Sequence, residues 1–420
     1  MYASVMKTAF FTICSRNYLA YALTLQQSLK RLAPDAPFFI YLADAPVDPP
    51  DAPDANIIPV SEIGLPNLLE MAFRYSVMEF NTAIKADCFL DLLTRRGFDA
   101  AIFLDPDIQV FAPLSEVHAA FGSGASAVLT PHLLEPLPAG AHPGEAEIMK
   151  SGVFNLGFAA FANTPESLAF IRWWASKLHT DCYAAPEKGL FVDQKFVDFA
   201  PAFIERLTVL RHPGYNVAYW NTASRSVAGT RGGFTVNGAP LVFFHFSGVM
   251  PGNPDVYSKH LGGRQQDVSP AIFELVGFYL SELAAQGHAK WSAMPYAYAG
   301  FRDGSPILPP MRRSAPEHST PEDWFSSPDL DYWNAPDPEV DQSPDVVITR
   351  LMTGFWQMRP DLQTAFPQST LAGRRGLQAW FRRHGQAEHG IPQAYLQALP
   401  PDRVPDWARA LGKRLLRRPA

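Results

Sequence analysis

The chain has 420 residues, 47 % of them hydrophobic and 18 % charged, with a formal net charge of −6. This length suits one large domain plus an appendage, the composition excludes general disorder, and the acidic balance argues against wholesale nucleic-acid binding. Cys14, Cys88 and Cys182 form no CxxC pair, which argues against a disulfide frame or a cysteine zinc site and for a reducing compartment.

Residues 7–14 (KTAFFTIC) are an apolar run that predicts a first buried strand. No signal-peptide pattern precedes it. No apolar stretch reaches the ~18 residues of a membrane span, so a cytoplasmic location is expected. Ser15, Arg16 and Asn17 offer caps to a helix over 18–32, whose leucines recur at helical spacing. Residues 37–43 and 56–60 read as two further strands between Pro- and Asp-rich loops. A single long helix is expected over 79–95. In it Thr82, Lys85 and Asp87 stand out; Lys85 could contact a phosphate or lie on a solvated face. Alternation of strands and helices indicates an α/β fold with a largely parallel sheet.

Residues 100–104 read as a strand buried on both faces, and Asp105-Pro106-Asp107 follows at once. Pro106 lacks an N–H and cannot sit in a central ladder, so the sheet should stop there. Open α/β sheets bind ligands at that carboxyl edge. Asp105 and Asp107, two apart in extended chain, can face one point. Two such carboxylates repel unless one takes up a proton or a hard divalent cation lies between them. The plain alternative is a strand-ending turn. No GxGxxG nucleotide motif competes.

Another strand is expected over 126–130, then a Pro/Gly-rich loop over 131–144 whose His132 and His142 are read as surface residues. Residues 151–161 form a strand interrupted by Asn155 and Gly157, a bulge or a ligand's close approach. Thr164 and Pro165 start a helix. Asp193 and Gln194 are polar in an aromatic stretch; unpaired burial would cost roughly 1–3 kcal/mol each, so each bonds to the protein or faces a ligand. Residues 212–221 (HPGYNVAYWN) form an aromatic loop. Residues 241–248 (LVFFHFSG) form a strand that ends in His245-x-x-Gly248, and Lys259 follows in a loop.

Taken in order, Asp105-x-Asp107, Asn155-x-Gly157, Asp193-Gln194 and His245-x-x-Gly248 with a downstream lysine resemble the GT-A glycosyltransferases. The order is most similar to glycosyltransferase family 8, of bacterial polysaccharide-synthesis type, over roughly residues 7–265. The resemblance implies a GT-A fold, a Rossmann-like mixed, mainly parallel sheet flanked by helices. It implies Mn2+ or Mg2+ on Asp105, Asp107 and His245, bridging the diphosphate of a nucleotide sugar, more often UDP-linked. Thr12, Ser15, Asn17 and Tyr18 would border base and ribose. Asn155, Gly157, Asp193 and Gln194 would face the donor sugar, with Asp193 and Gln194 catalytic. Lys85, Gly248 and Lys259 would lie along the diphosphate. Gln194 near the anomeric carbon fits a retaining reaction; Asp193 as a base would fit inversion. The family's Lys-Pro-Trp ending is absent, and Lys195 stands where it has an aspartate.

The domains expected are 1–300 catalytic, 301–345 a Pro-rich linker or wrapped loop, and 346–420 a helical C-terminal region. Helices are expected over 270–286, 346–358 and 372–384. The basic amphipathic tail 406–420 could touch an anionic membrane, where a lipid-linked acceptor would reside, placing the protein at the inner membrane face; a solvated terminal helix is the alternative. The function expected is sugar transfer to a glycan or lipid-linked acceptor in surface-polysaccharide synthesis. Two rivals are a non-catalytic sugar- or partner-binding module and a metal-dependent phosphohydrolase of the haloacid-dehalogenase type. Against the second, Gln109 stands where that type resembles DxDx(T/V).

Overall fold

A computed structural model describes residues 6–47, 54–262, 268–314 and 320–397. Contacts divide the chain into two compact units, Met1–Tyr298 and Ala299–Ala420.

The first unit is a mixed α/β layer structure. Among its strands are β1 (Thr8–Cys14), β2 (Phe38–Leu42), β3 (Asn56–Pro59), β4 (Ala100–Leu104), β5 (Ile108–Val110), β6 (Ala127–Pro131), β7 (Phe154–Ala162), β8 (Leu207–Val209) and β9 (Phe243–His245). Seven of them form the central sheet, in the order β8-β6-β7-β4-β1-β2-β3. Pairing is parallel from β4 through β1 and β2 to β3, and again between β8 and β6; β7 runs antiparallel to both its neighbours. β1 and β4 are buried along their whole length, as expected of strands covered on both faces. Helix α1 (Leu19–Leu32) lays Leu19, Ala22, Leu25 and Leu29 into this core.

The long helix expected over 79–95 is broken. It becomes α2 (Val77–Ala83), α3 (Lys85–Leu90) and a wide π-turn (Asp91–Arg95). A reciprocal cap between Ser76 and Glu79 starts α2. The Thr82 hydroxyl then donates back to the carbonyls of Met78 and Glu79, both at 3.0 Å, a competition that weakens the continuing ladder. The break at Ile84 turns Lys85 inward, where it is 2 % exposed.

The run expected as a strand over 241–248 joins the central sheet nowhere. Only β9 is extended, and it pairs antiparallel with β5, His245 opposite Ile108. This two-stranded ribbon begins where β4 ends.

The second unit is helical. Its longest helices are Arg350–Met358 and Leu371–His389, with Pro360–Ala365 between them. Leu351, Met352, Phe355, Leu377 and Phe381 are buried there. The Pro/Asp-rich stretch expected as a linker or wrapped loop falls within this unit. It holds the short helices Pro309–Arg313, Pro321–Trp324 and Leu330–Asn334, and buries Trp324, Phe325 and Trp333. Aromatic side chains in a polar stretch bury enough apolar surface to order it. The basic tail over 406–420 lies outside the described residues. Among the described residues no helix is long and apolar enough to cross a membrane.

Candidate active site

The site begins where β4 stops. The Asp105 N–H donates to Gly157 O at 2.8 Å, and the Ile108 N–H closes a turn onto Asp105 O at 3.0 Å. The chain re-extends as β5, and the β9 ladder delivers His245 from 137 residues further along than Ile108. The Phe246 N–H donates to Asp107 O at 2.9 Å and fixes the register. His245 Nε2 thus lies 3.1 Å from Asp107 Oδ1 and 3.7 Å from Asp105 Oδ2. One ligand atom from each of the three residues lies within 4.8 Å of the others.

Enclosure pushes the Asp105 carboxyl up to about 6; Lys85 and His245 oppose the rise, and Asp107 and Asp193 add to it. Burial lowers the affinity of His245 for a proton, yet the Asp107 carboxylate outweighs it and the net shift is upward. The cluster therefore carries concentrated negative charge. Two carboxylates and one imidazole are a donor set suited to a hard or borderline divalent cation, and they fit Mn2+ or Mg2+.

The His245 ring lies directly against Gly157, where a Cβ would overlap its Cε1 and Nδ1 and come 2.8 Å from Asn155 Oδ1. Only glycine leaves room for this ring. Gly157→Ala is expected to displace His245 and weaken Mn2+ binding by about 10–100-fold, the usual cost of disturbing a ligand's support. Calorimetric titration of Mn2+ into both proteins checks it; equal affinities would refute the packing argument. The ring also meets Trp220 in a T-shaped contact, 5.2 Å between centroids.

Asn155 is held by protein on all sides. Its Oδ1 accepts from the Gly157 N–H at 3.1 Å and from Asn216 Nδ2 at 3.0 Å, and its Nδ2 meets His132 Nε2 at 3.3 Å. Asn216 also donates to Thr130 at 2.9 Å and adopts φ +52°. Sequence reasoning placed His132 at the surface; it is 5 % exposed, and burial holds it neutral by lowering it to about 4. The histidine follows directly on β6, which includes Pro131, so the Pro/Gly-rich loop expected over 131–144 starts later than its composition suggests.

Asp193 and Gln194 are 2 % and 6 % exposed. Lys85 Nζ lies 2.5 Å from Asp193 Oδ2 and donates to Leu156 O at 2.8 Å, above the Phe103 ring at 4.1 Å. Lys85, offered to a diphosphate by its sequence position, is thus engaged inside the protein. Gln194 donates to Ser151 O at 2.7 Å and accepts from the Leu156 N–H at 3.3 Å. Val192, just before this pair, has φ +41°. That region is costly for a β-branched residue and is tolerated where the surroundings over-determine it.

The end of β1 and the residues after it form a separate wall. Thr12 is buried and its hydroxyl has no partner among the described residues. Ser15 donates to Asn17 Oδ1 at 2.6 Å. Tyr18 is 43 % exposed and stacks on Tyr21 at 4.6 Å. Burial raises its hydroxyl pKa, and the Asp107 carboxylate adds to the shift. Asp44, which sequence reasoning passed over, ends the β2 segment and accepts from the backbone of Arg16 at 3.0 Å and Ala297 at 2.9 Å. Its position at a strand's carboxyl end was the available signal. Gly248 sits at φ +79° with Ser258 and His260 packed where a Cβ would project. The Lys259 N–H bonds to Gly248 O at 2.9 Å, and Lys259 is exposed.

No family model matches the chain. Two proteins of Bacillus subtilis (strain 168) are similar to it. Uncharacterized protein YfnF is 23 % identical over 252 residues, covering 58 % of this chain and 82 % of its own length. Uncharacterized protein YfnD is 24 % identical over 247 residues, covering 57 % and 77 %. Among solved structures, the bifunctional glycosyltransferase WbbM aligns at 17 % identity and TM-score 0.34, over 51 % of this chain and 40 % of that one. The galactosyltransferase LgtC, with donor and acceptor sugar analogs, aligns at 13 % and 0.37, over 68 % and 97 %. GlyE of Streptococcus pneumoniae TIGR4 aligns at 14 % and 0.37, over 70 % and 68 %.

Proposed function

We propose that this protein is a metal-dependent glycosyltransferase of GT-A type that moves a sugar from a nucleotide-sugar donor to a glycan or lipid-linked acceptor. The observation that carries this reading is the Asp105–Asp107–His245 cluster, assembled by two distant strands at the carboxyl edge of a mixed sheet. The motif order in the sequence supports the finer part: a UDP-linked sugar, net retention and a role in surface-polysaccharide synthesis.

Cleaving the bond between a sugar and a nucleoside diphosphate leaves negative charge on the diphosphate. A divalent cation held by Asp105, Asp107 and His245 supplies charge neutralisation where it develops, the setting in which electrostatic catalysis is strongest. The exposed Lys259 can add a second positive charge. Tyr18, beside the cluster, offers a ring face to a nucleotide base. Asp193 is sealed in an ion pair with Lys85, which removes it as a free base for the acceptor hydroxyl and favours retention over inversion.

Thermal unfolding with a panel of UDP- and GDP-sugars, with Mn2+ or with EDTA, tests the reading. At a hundredfold excess over Kd a bound ligand adds about 2.7 kcal/mol, or roughly 5 °C at about 2 °C per kcal/mol. An upward shift of that size is expected for one donor with Mn2+ and none with EDTA. A shift indifferent to metal, or none with any donor, would sink the proposal in favour of a binding module.

A further inference from the structure

A cavity of about 480 Å3 lies at the edge of the central sheet opposite the metal cluster. β3 runs parallel to β4 through β2 and β1. Asp54 and Ala55 precede β3 and so lie at the amino edge, whereas Asp105 and Asp107 follow β4 at the carboxyl edge. The cavity is walled by these two residues, by the second half of α1 and by the turn between helices Pro270–Ala285 and His288–Ser292.

Three amides line it, and each uses one end within the protein. Gln26, 6 % exposed, donates from Nε2 to Asp54 O at 3.2 Å. Gln286 donates from Nε2 to Gln27 Oε1 at 2.7 Å. The carbonyl oxygens of Gln26 and Gln286 and the amide N–H groups of Gln27 have no further partner among the described residues. Lys30 and Lys290 also line the cavity and are exposed, with Lys290 Nζ 4.7 Å above the Trp291 ring. Two lysines against one aspartate leave the lining one positive charge in excess.

The chemistry narrows the occupant. The volume lies within the roughly 300–1,000 Å3 of small-molecule pockets. A bare phosphate would fill little of it and would leave the Gln26 carbonyl without a donor. A neutral sugar would serve the amides, since hydroxyls both donate and accept, but would leave both ammonium groups to water. A nucleotide finds no stacking face: Trp291 is the aromatic residue of the lining, it is 2 % exposed and Lys290 lies over its ring. An apolar molecule would strand the buried Gln26 carbonyl. A phosphorylated sugar answers each feature, with a phosphate for the lysine ammonium groups and hydroxyls for the amides.

We propose that this cavity binds a small phosphorylated sugar. The site is separate from the metal cluster, and its assignment does not rest on the transferase reading.

Phosphorus NMR titration of the full chain in EDTA tests it. The probes are glucose phosphorylated at the anomeric carbon, glucose phosphorylated at its primary hydroxyl, and inorganic phosphate. Without metal the acidic cluster repels all three. At least one sugar phosphate is expected to bind with a Kd of about 1 mM or below, about tenfold more tightly than inorganic phosphate. Lys30→Gln and Lys290→Gln are each expected to weaken it about tenfold, the loss of one charge-assisted contact. Both lysines are exposed, so neither change threatens the fold. Gln286→Ala is expected to weaken the sugar phosphate and to leave inorganic phosphate unchanged, because the amide serves a hydroxyl. The proposal is overturned if neither sugar phosphate binds, if inorganic phosphate binds within about twofold of both, or if both lysine variants bind as wild type does. Binding that survives the lysine changes and is lost in Tyr18→Ala would place the ligand beside the metal cluster and overturn it as well.

Discussion

Asp107→Ala is expected to abolish Mn2+-dependent donor binding and to lower sugar transfer by about 10³-fold. The magnitude follows from a metal contribution of several kcal/mol to leaving-group stabilisation, at 1.36 kcal/mol per tenfold. The variant should fold, because its side chain is 22 % exposed and its close partner is the His245 imidazole. Stability separates a metal ligand from a structural turn residue. Without metal, Asp105 and Asp107 repel each other, and enclosure already holds Asp105 up at about 6. Removing Asp107 should therefore leave the EDTA-treated protein as stable as wild type or slightly more so, while erasing the gain that Mn2+ gives wild type. Differential scanning calorimetry of both proteins, with Mn2+ and with EDTA, reads the two signs. A variant that loses stability in EDTA and still gains from Mn2+ would show that Asp107 ends a strand and does nothing else.

The acidic half of this site was legible in the sequence because its signals are local. An apolar run over 100–104 broken by Asp-Pro-Asp states where a buried strand must stop, and β4 ends at Leu104. His245 was reachable because it too ends an apolar run. That it meets the aspartates through β5 was not legible, since the pairing of β5 with β9 is a long-range choice between two three-residue strands. Helical periodicity runs straight through Ile84; the back-bonding of Thr82 is a local competitor that periodicity does not register, and the inward pull on Lys85 is a tertiary effect. His132 was misplaced for the same reason. Its neighbours are loop formers, and the partners that bury it, Asn155 and Trp220, come 23 and 88 residues later. Aromatic residues in the stretch over 303–345 were visible, yet proline density outweighed them and hid the short helices they anchor.

Lys85→Ala is expected to destabilise the protein by about 3–5 kcal/mol, the range for removing one partner of a buried ion pair. Lys85 and Asp193 are 2 % and 3 % exposed along their side chains, with Nζ and Oδ2 at 2.5 Å, so solvent cannot replace the lost ammonium. Asp193 already resists ionisation through burial, with Lys85 the first influence lowering its pKa. Without the lysine the carboxyl should take up a proton, and Leu156 O loses its donor as well. At about 2 °C per kcal/mol the melting temperature should fall by roughly 6–10 °C. The double variant Lys85→Met/Asp193→Asn removes both charges and keeps most of the volume, so it should regain the greater part of that loss. Transfer activity then distinguishes two roles. If the pair only holds the β7 edge together, the double variant should recover activity along with stability. If the charged pair orients groups around the donor sugar, stability should return while kcat stays low and donor KM changes little. The strained backbone at Val192, immediately before Asp193, favours the second outcome, because strain of that kind persists where the surroundings fix one geometry.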